Sequence, residues 1–316
     1  MIGLAACTSD EGDRPPAPLR LLVDTSVAVP APLPSLSEHV VPDAPSAAPQ
    51  LTVNPPQADP SRFGEVWWTA RETRTAGQLA SDWGVGFGTL AALNAGVDLE
   101  SPLPAGTRLL VYKYDPDHPP QSIGSPNRGK LRNGMPLPEG DSWRLRPMRR
   151  RAWGTHTTVA ALVDAFEAYG ERYPDSPKIR IGELAKRTGG RVAPHASHRS
   201  GRDVDIGYIF KGEDNDDDRW RYMNERNFDA EKNWVLIKEI LASGQVQSIY
   251  ISRKLQKMLH KEAAKELSPA ELTAIFEYPR SPGSNTAVLQ HWRGHHDHMH
   301  VRFRCEPGNR RCRSRG

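Results

Sequence analysis

Seven of the chain's eleven histidines fall in two short windows. His195 and His198 lie in the run Pro194-His195-Ala196-Ser197-His198-Arg199-Ser200-Gly201-Arg202-Asp203-Val204-Asp205. His291, His295, His296, His298 and His300 crowd a second stretch near the end. Clustered His and Asp at fixed offsets read as a metal site before anything else. His298 and His300 alternate along a predicted strand, which puts both imidazoles on one face; Asp203 and Asp205 share a face if their segment is extended. Three protein ligands plus an open position for water make a catalytic zinc site, and imidazole with carboxylate suits it. The helical His-Glu-x-x-His pattern is absent from the sequence.

The rest of the chain divides by composition. Twelve of the 28 prolines lie in the first 60 of 316 residues. Proline removes amide donors and biases the backbone to polyproline II, so residues 8–62 are expected to be a disordered, semi-rigid tether without a core. Ahead of it, Leu4-Ala5-Ala6-Cys7 resembles the end of a bacterial lipoprotein signal, with residues 1–7 as a signal remnant and Cys7 as the lipid-bearing membrane anchor. The apolar stretch before Cys7 is six residues, short of the roughly 7–15 of a signal core; either the recorded start codon lies too far downstream or the match is chance. No stretch approaches the ~20 consecutive apolar residues of a membrane span. A net charge of +4 suits an anionic partner, and without a zinc-finger or RNA-binding signature nucleic acid is not the expected one.

Residues 63–114 read as strand, helix, helix, strand: Val66-Trp67-Trp68-Thr69, then Thr75 to Trp83, Gly88 to Asn94, and Leu109-Leu110-Val111-Tyr112. This small βααβ unit resembles the LysM module, which binds peptidoglycan. The resemblance rests on the Leu90-Ala91-Ala92-Leu93-Asn94 run, the Leu103-Pro104-Ala105-Gly106 turn and the final apolar strand. It departs where the module's usual Gly-Asp-Thr gives way to Arg71-Glu72-Thr73-Arg74-Thr75, in the loop that normally helps to hold the glycan. A LysM-shaped spacer without sugar affinity is the duller reading.

Residues 115–316 are long enough for a domain-sized core. Thr157–Tyr169 and Trp234–Ser243 carry the 3.6-residue apolar pattern of helices, while Val246–Ser252 and Met299–Arg304 alternate like strands. The expected class is α+β, a small antiparallel sheet flanked by helices. Ser122-Ile123-Gly124-Ser125, Trp153-Gly154, Ile181-Gly182-Glu183-Leu184, His198-Arg199-Ser200-Gly201-Arg202-Asp203-Val204-Asp205 and His295-His296-Asp297-His298-Met299-His300 together resemble the penicillin-insensitive murein endopeptidases, zinc peptidases grouped with lysostaphin and the D-alanyl-D-alanine metallopeptidases.

That resemblance implies His198, Asp205 and His300 as ligands of one Zn2+, with His298 facing the reaction as general base or transition-state stabiliser. His195 and His295 match further active-site histidines, as outer support or toward a second metal; His195 is grouped with the metal residues and His295 with the catalytic ones. The family's additional Asp-x-x-His pattern is missing: no histidine lies between His198 and His260, and Asp229 is merely nearest by position. The implied activity is hydrolysis of peptidoglycan cross-links, with a D-alanyl–diaminopimelate bond as the first guess, in the periplasm of a Gram-negative-type envelope. Two alternatives stay open: a wall-binding scaffold lipoprotein with a degenerate peptidase domain, and a carboxypeptidase or amidase of the same zinc group.

Other features have plainer readings. His291 and His296 are expected at the surface, Asp203 as a support rather than a ligand, and the acidic run Glu213–Asp218 as a solvated loop, since it lacks the Gly and final Glu of an EF-hand. The basic run Arg146–Arg151 is expected to be an exposed surface. Cys305 and Cys312 would pair in an oxidising compartment and stay as thiols, a weak metal pair, in the cytosol.

Overall fold

The computed structural model describes residues 63–146, 149–212, 219–283 and 286–314; Cys7, the proline-rich stretch 8–62 and the acidic run 213–218 lie outside them. Among the described residues no helix is long and apolar enough to cross a membrane.

The first elements are β1 (Glu65–Thr69), α1 (Ala76–Trp83), α2 (Phe87–Leu93) and β2 (Arg108–Lys113). Thr75 starts α1 with a capping box: its hydroxyl accepts from the Gln78 amide, and the Gln78 side chain accepts from the Thr75 amide. The strands pair antiparallel and bury Val66, Trp68, Leu79, Leu90 and Leu109. Asn94, which is buried, exchanges two 2.9 Å hydrogen bonds with the Leu110 backbone and ties the end of α2 to β2. Trp83 closes α1 against the rest of the chain. Its carbonyl accepts from Trp153 Nε1 at 2.9 Å. The next residue, Gly84, has φ +66°, and a Cβ there would stand 3.1 Å from Arg150 Cβ.

Arg149 and Arg151 depart from the expectation of an exposed basic surface over Arg146–Arg151, whereas Arg150 is exposed as expected. Arg149 pairs with Glu139 at 2.7 Å and lies over the Trp83 ring, while Arg151 pairs with Glu183 at 3.2 Å. They are part of the joint between the βααβ unit and the residues beyond it.

Two short pairings follow, β3 (Gln121–Ile123) with β4 (Lys130–Arg132) and β5 (Met135–Pro136) with β7 (Trp153–Gly154), with β6 (Trp143–Leu145) between. Then come α3 (His156–Arg172), β8 (Ile179–Ile181), β9 (Asp203–Gly207), α4 (Ala230–Ala242), β10 (Val246–Ile251), α5 (Arg253–Ala263), α6 (Pro269–Ile275), β11 (Leu289–His291) and β12 (His298–Phe303). The class is α+β as expected. The main sheet runs β11-β10-β12-β9-β8-β6 and is antiparallel only at its centre. Both edge pairs, β10 with β11 and β6 with β8, are parallel. The reason is connectivity: each of these pairs is joined by helices, α5 and α6 in one case and α3 in the other, and a helical crossover returns the chain in the same direction.

After β12 the chain bends into a loop closed by the Cys305–Cys312 disulfide. Gly124 receives this tail: its amide donates to the Arg311 carbonyl at 2.8 Å and its carbonyl accepts from the Arg313 amide at 3.0 Å. Buried Arg202 donates to Ser122 Oγ, the Phe303 carbonyl and the Arg313 carbonyl at 3.1, 2.8 and 2.8 Å. Closing a loop this short removes about 2–3 kcal/mol of chain entropy from the unfolded state. Replacing both cysteines with serine is expected to lower Tm by about 5–10 °C, read by a thermal melt under non-reducing conditions.

Candidate metal centre

The site is built on the β9–β12 pair. In its register His300 stands opposite Asp205 and Arg302 opposite Asp203, while Tyr250 of β10 faces His300 from the other side. Strand alternation puts His298, His300 and Arg302 on the same face as the two aspartates.

His198 arrives from the loop before β9 with φ +61° and is fully buried. Its amide donates to Asp203 Oδ2 at 3.1 Å, and its Nδ1 donates to the Leu184 carbonyl at 2.9 Å. That bond leaves the lone pair on Nε2, a buried atom without a hydrogen-bond partner that lies 3.2 Å from Asp205 Oδ1. His195 Nδ1 is 3.6 Å from Asp205 Oδ2. One donor atom each of His195, His198 and Asp205 lies within 4.8 Å of the others. Metal bonds of about 2.0–2.1 Å in a tetrahedron separate ligand atoms by roughly 3.3 Å. The donors thus fit a small divalent cation, and the orphaned Nε2 has the lone pair to meet one.

His300 is clamped between carboxylates, with Nδ1 2.9 Å from Asp205 Oδ1 and Nε2 3.1 Å from Asp203 Oδ1. Burial opposes its charge, but the hydrogen bonds and charges of Asp203 and Asp205 outweigh burial and lift its pKa to about 9. Asp203 and Asp205 are themselves held far below the carboxylate range despite complete burial. Arg302 and His300 do this for Asp203, and the charge and hydrogen bond of His300 do it for Asp205. Arg302 Nε sits 2.7 Å from Asp203 Oδ1. Asp203 therefore carries three neighbours and orients two of the histidines, the supporting place expected for it.

Two glycines make the close approaches possible. Gly201 has φ +75°, and a Cβ there would meet the Leu131 side chain at 2.8 Å; a Cβ on Gly182 would stand 2.7 Å from the Trp220 ring and 3.2 Å from Asp205 Cβ. Trp220 flanks His298, with ring centres 5.3 Å apart and the planes tilted by 39°. His298 Nδ1 donates to Asp297 Oδ1 at 2.7 Å, and its Nε2 is 3.8 Å from Asp205 Oδ1. His295 donates from Nδ1 to the Arg293 carbonyl at 3.0 Å. Burial, helped by the charges of His298 and His300, pushes its pKa down to about 4, so it is a neutral ring beside His298. A cavity of about 550 Å3 opens over His195, His198, Asp205, His295, His298 and His300.

A sequence model of the penicillin-insensitive murein endopeptidase family matches residues 122–316. The chain belongs to that family. The penicillin-insensitive murein endopeptidase of Pectobacterium atrosepticum is 28% identical over 211 residues, which span 61% of this chain and 68% of that protein. The Yersinia enterocolitica protein of the same name is 27% identical over 230 residues, 67% of this chain and 76% of its own. The family region contains the whole histidine and aspartate constellation; the βααβ unit lies ahead of it.

Some residues were not singled out from the sequence. Glu183 is buried between Arg151 and His195 Nε2, 3.7 Å away; Asp297 orients His298, and Trp220 flanks it. Asp297 was visible as the neighbour of His298, whereas nothing local marks Trp220. Other histidines are placed elsewhere. His291 accepts from the Arg253 amide at the start of α5, and His296 stacks on Tyr222 with ring centres 4.8 Å apart. Asp229 caps α4 by accepting from the Lys232 amide.

The His300 pKa has a measurable consequence. Because about 9 in the folded metal-free protein exceeds the ordinary 6.5, its contribution to stability is fully present below pH 6.5 and lost as pH rises through about 9. Denaturant unfolding of metal-free protein across that window is expected to show the decline, and Asp203→Asn to flatten it.

Proposed function

We propose that this chain is a zinc-dependent murein endopeptidase that hydrolyses peptide cross-links of the cell wall, with a D-alanyl–diaminopimelate bond as the first substrate to try. The observation that carries the reading is the orphaned Nε2 of His198 beside Asp205 Oδ1, inside a chain of this family. In the proposal His198 Nε2, the Asp205 carboxylate and His300 Nδ1 hold the zinc, with His300 oriented by Asp203 through Nε2. A carboxylate or carbonyl on the far nitrogen of a metal-binding histidine sets its tautomer and raises its basicity, and both His198 and His300 have one. His195 stands at the edge of the donor set as a fourth group or as support.

Held by these residues, zinc would supply a bound water with a pKa of about 7 and a Lewis acid for the scissile carbonyl. His298, with Nδ1–H committed to Asp297, turns the Nε2 lone pair toward the cavity. There it takes the proton of the attacking water and returns one to the leaving amine, a role worth about 10²–10⁴-fold. Neutral His295 and the Trp220 ring keep the His298 imidazole in place and limit its access to bulk water.

The same proposal gives the other parts their tasks. The LysM-like βααβ unit, carrying exposed Trp67 and Phe87, holds the enzyme on its polymer. The residues ahead of it tether the enzyme in the periplasm through a lipid on Cys7.

Purified cross-linked muropeptide dimers incubated with the chain and read by mass spectrometry test the activity. Dimers are expected to become monomers with zinc, to persist with chelator, and to be cut at least 100-fold more slowly by His298→Ala, which keeps its zinc. Release of a terminal D-alanine from intact dimers would make it a carboxypeptidase instead, and intact dimers despite bound zinc would favour the scaffold. Since metal must displace the His300 proton, zinc affinity measured against a competing chelator is expected to fall about tenfold for each pH unit below about 9, where His300 titrates.

A further inference from the structure

The metal cavity does not end at the sheet centre. A second cavity of about 440 Å3 adjoins it, bordered by Gln247, Ser248, Gln290 and Arg304. Asn127, Tyr250 and Arg302 line both cavities, so the two form one groove running along β12 past the Arg302 side chain.

Three features of this extension point to a ligand. The first is charge. Arg302 is neutralised by Asp203 at 2.7 Å, whereas Arg304, exposed at the end of the same strand, enters no ion pair among the described residues. It spends only Nε, on the Val246 carbonyl at 3.1 Å, which leaves its terminal nitrogens available for a bidentate partner. The second is an unpaired acceptor. Gln247 donates to the Ser314 carbonyl at 3.1 Å, but its Oε1 is buried without a hydrogen-bond partner. The third is the backbone that presents it. The register of β10 against β12 slips between Val246 and Ser248, so Gln247 is the extra residue of a bulge, the device that re-aims a side chain beside a site. Gln247 and Ser248 thereby both border the groove.

We propose that this extension binds the substrate's peptide at a distance from the scissile bond, with Arg304 taking a free carboxylate and Gln247 Oε1 accepting from a neighbouring N–H. Rising about 3.3 Å per residue, the strand sets Arg304 about 13 Å beyond His300. An extended peptide covers that distance in about four residues. The carboxylate is therefore not one next to the cleaved amide but one further along the cross-linked stems. The inference rests on the murein-peptide reading above, and its test separates the two.

The full-length chain carrying His298→Ala, loaded with zinc, is titrated by calorimetry with a cross-linked muropeptide dimer and with the same dimer after its carboxylates are converted to methylamides. Methylamidation and Arg304→Ala are each expected to weaken binding about tenfold, and together no more than either alone. Arg304→Gln, which retains a side-chain donor for the Val246 carbonyl, is expected to match Arg304→Ala. Binding that ignores Arg304, two penalties that add independently, or a dimer that does not bind would each overturn the proposal. Turnover by the unsubstituted chain is followed separately. Its absence alongside Arg304-dependent binding would remove the endopeptidase reading and leave the groove, while turnover with Arg304-independent binding would remove only the groove.

Discussion

The architecture of the site depends on one buried carboxylate. Asp203 is wholly inside the protein, yet it stays ionised because Arg302, directly opposite on the neighbouring strand, faces it at 2.7 Å. An isolated charge at that depth would cost several kcal/mol. Paired in this way, it holds the His198 amide with one oxygen and the His300 ring with the other. Two histidines from windows about a hundred residues apart thus share one anchor, and Asp205, two residues along the same face, stands 3.2 Å from His198 Nε2 and 2.9 Å from His300 Nδ1.

The surroundings serve that convergence. Gly182 and Gly201 allow backbone to pass where any Cβ would collide. Arg202, the residue before Asp203, faces away from the site and fastens β9 to Ser122 and to the disulfide-closed tail. The strand bearing Asp203 and Asp205 is therefore fixed from both faces, by the Arg302 ion pair on one and by the Arg202 hydrogen bonds on the other. A metal site gains affinity from donors that need not be rearranged, and donors on the two central strands of a six-stranded sheet meet that condition better than donors on loops. His195 is the more exposed member of the set, while His198, from the same loop, is buried and held by Asp203 and the Leu184 carbonyl.

Much of this was legible in advance, for identifiable reasons. Alternation is a backbone property, so His298 shares a strand face with His300, and Asp203 with Asp205, from spacing alone, and the structure needed only to pair the strands so that both sets meet on one sheet face. Helices α3 and α4 carry dense apolar stripes and were equally readable. Helix α5 has only Leu255, Leu259 and Ala263 as its buried apolar side chains, a stripe too thin to stand out in a polar segment. The parallel sheet edges were missed because periodicity marks a strand without saying which way its neighbour runs. Arg149 and Arg151 read as surface within the Arg146–Arg151 run because charge counts do not show that Glu139, Glu183 and the Trp83 ring wait for them.

The sequence by itself determined which residue types were available for metal chemistry, which of them share a strand face, and the family to which residues 122–316 belong. Only the tertiary structure decided how those residues are used: that Asp203 supports two histidines, that His198 commits Nδ1 to a carbonyl and leaves Nε2 without a partner, and that a bulge at Gln247 brings it to the cavity beside the candidate metal centre. The physical reason is that ligand direction, tautomer and charge balance are set by neighbours across strands and loops far apart in the chain. Local pattern records only what the backbone does to the residues next to one another.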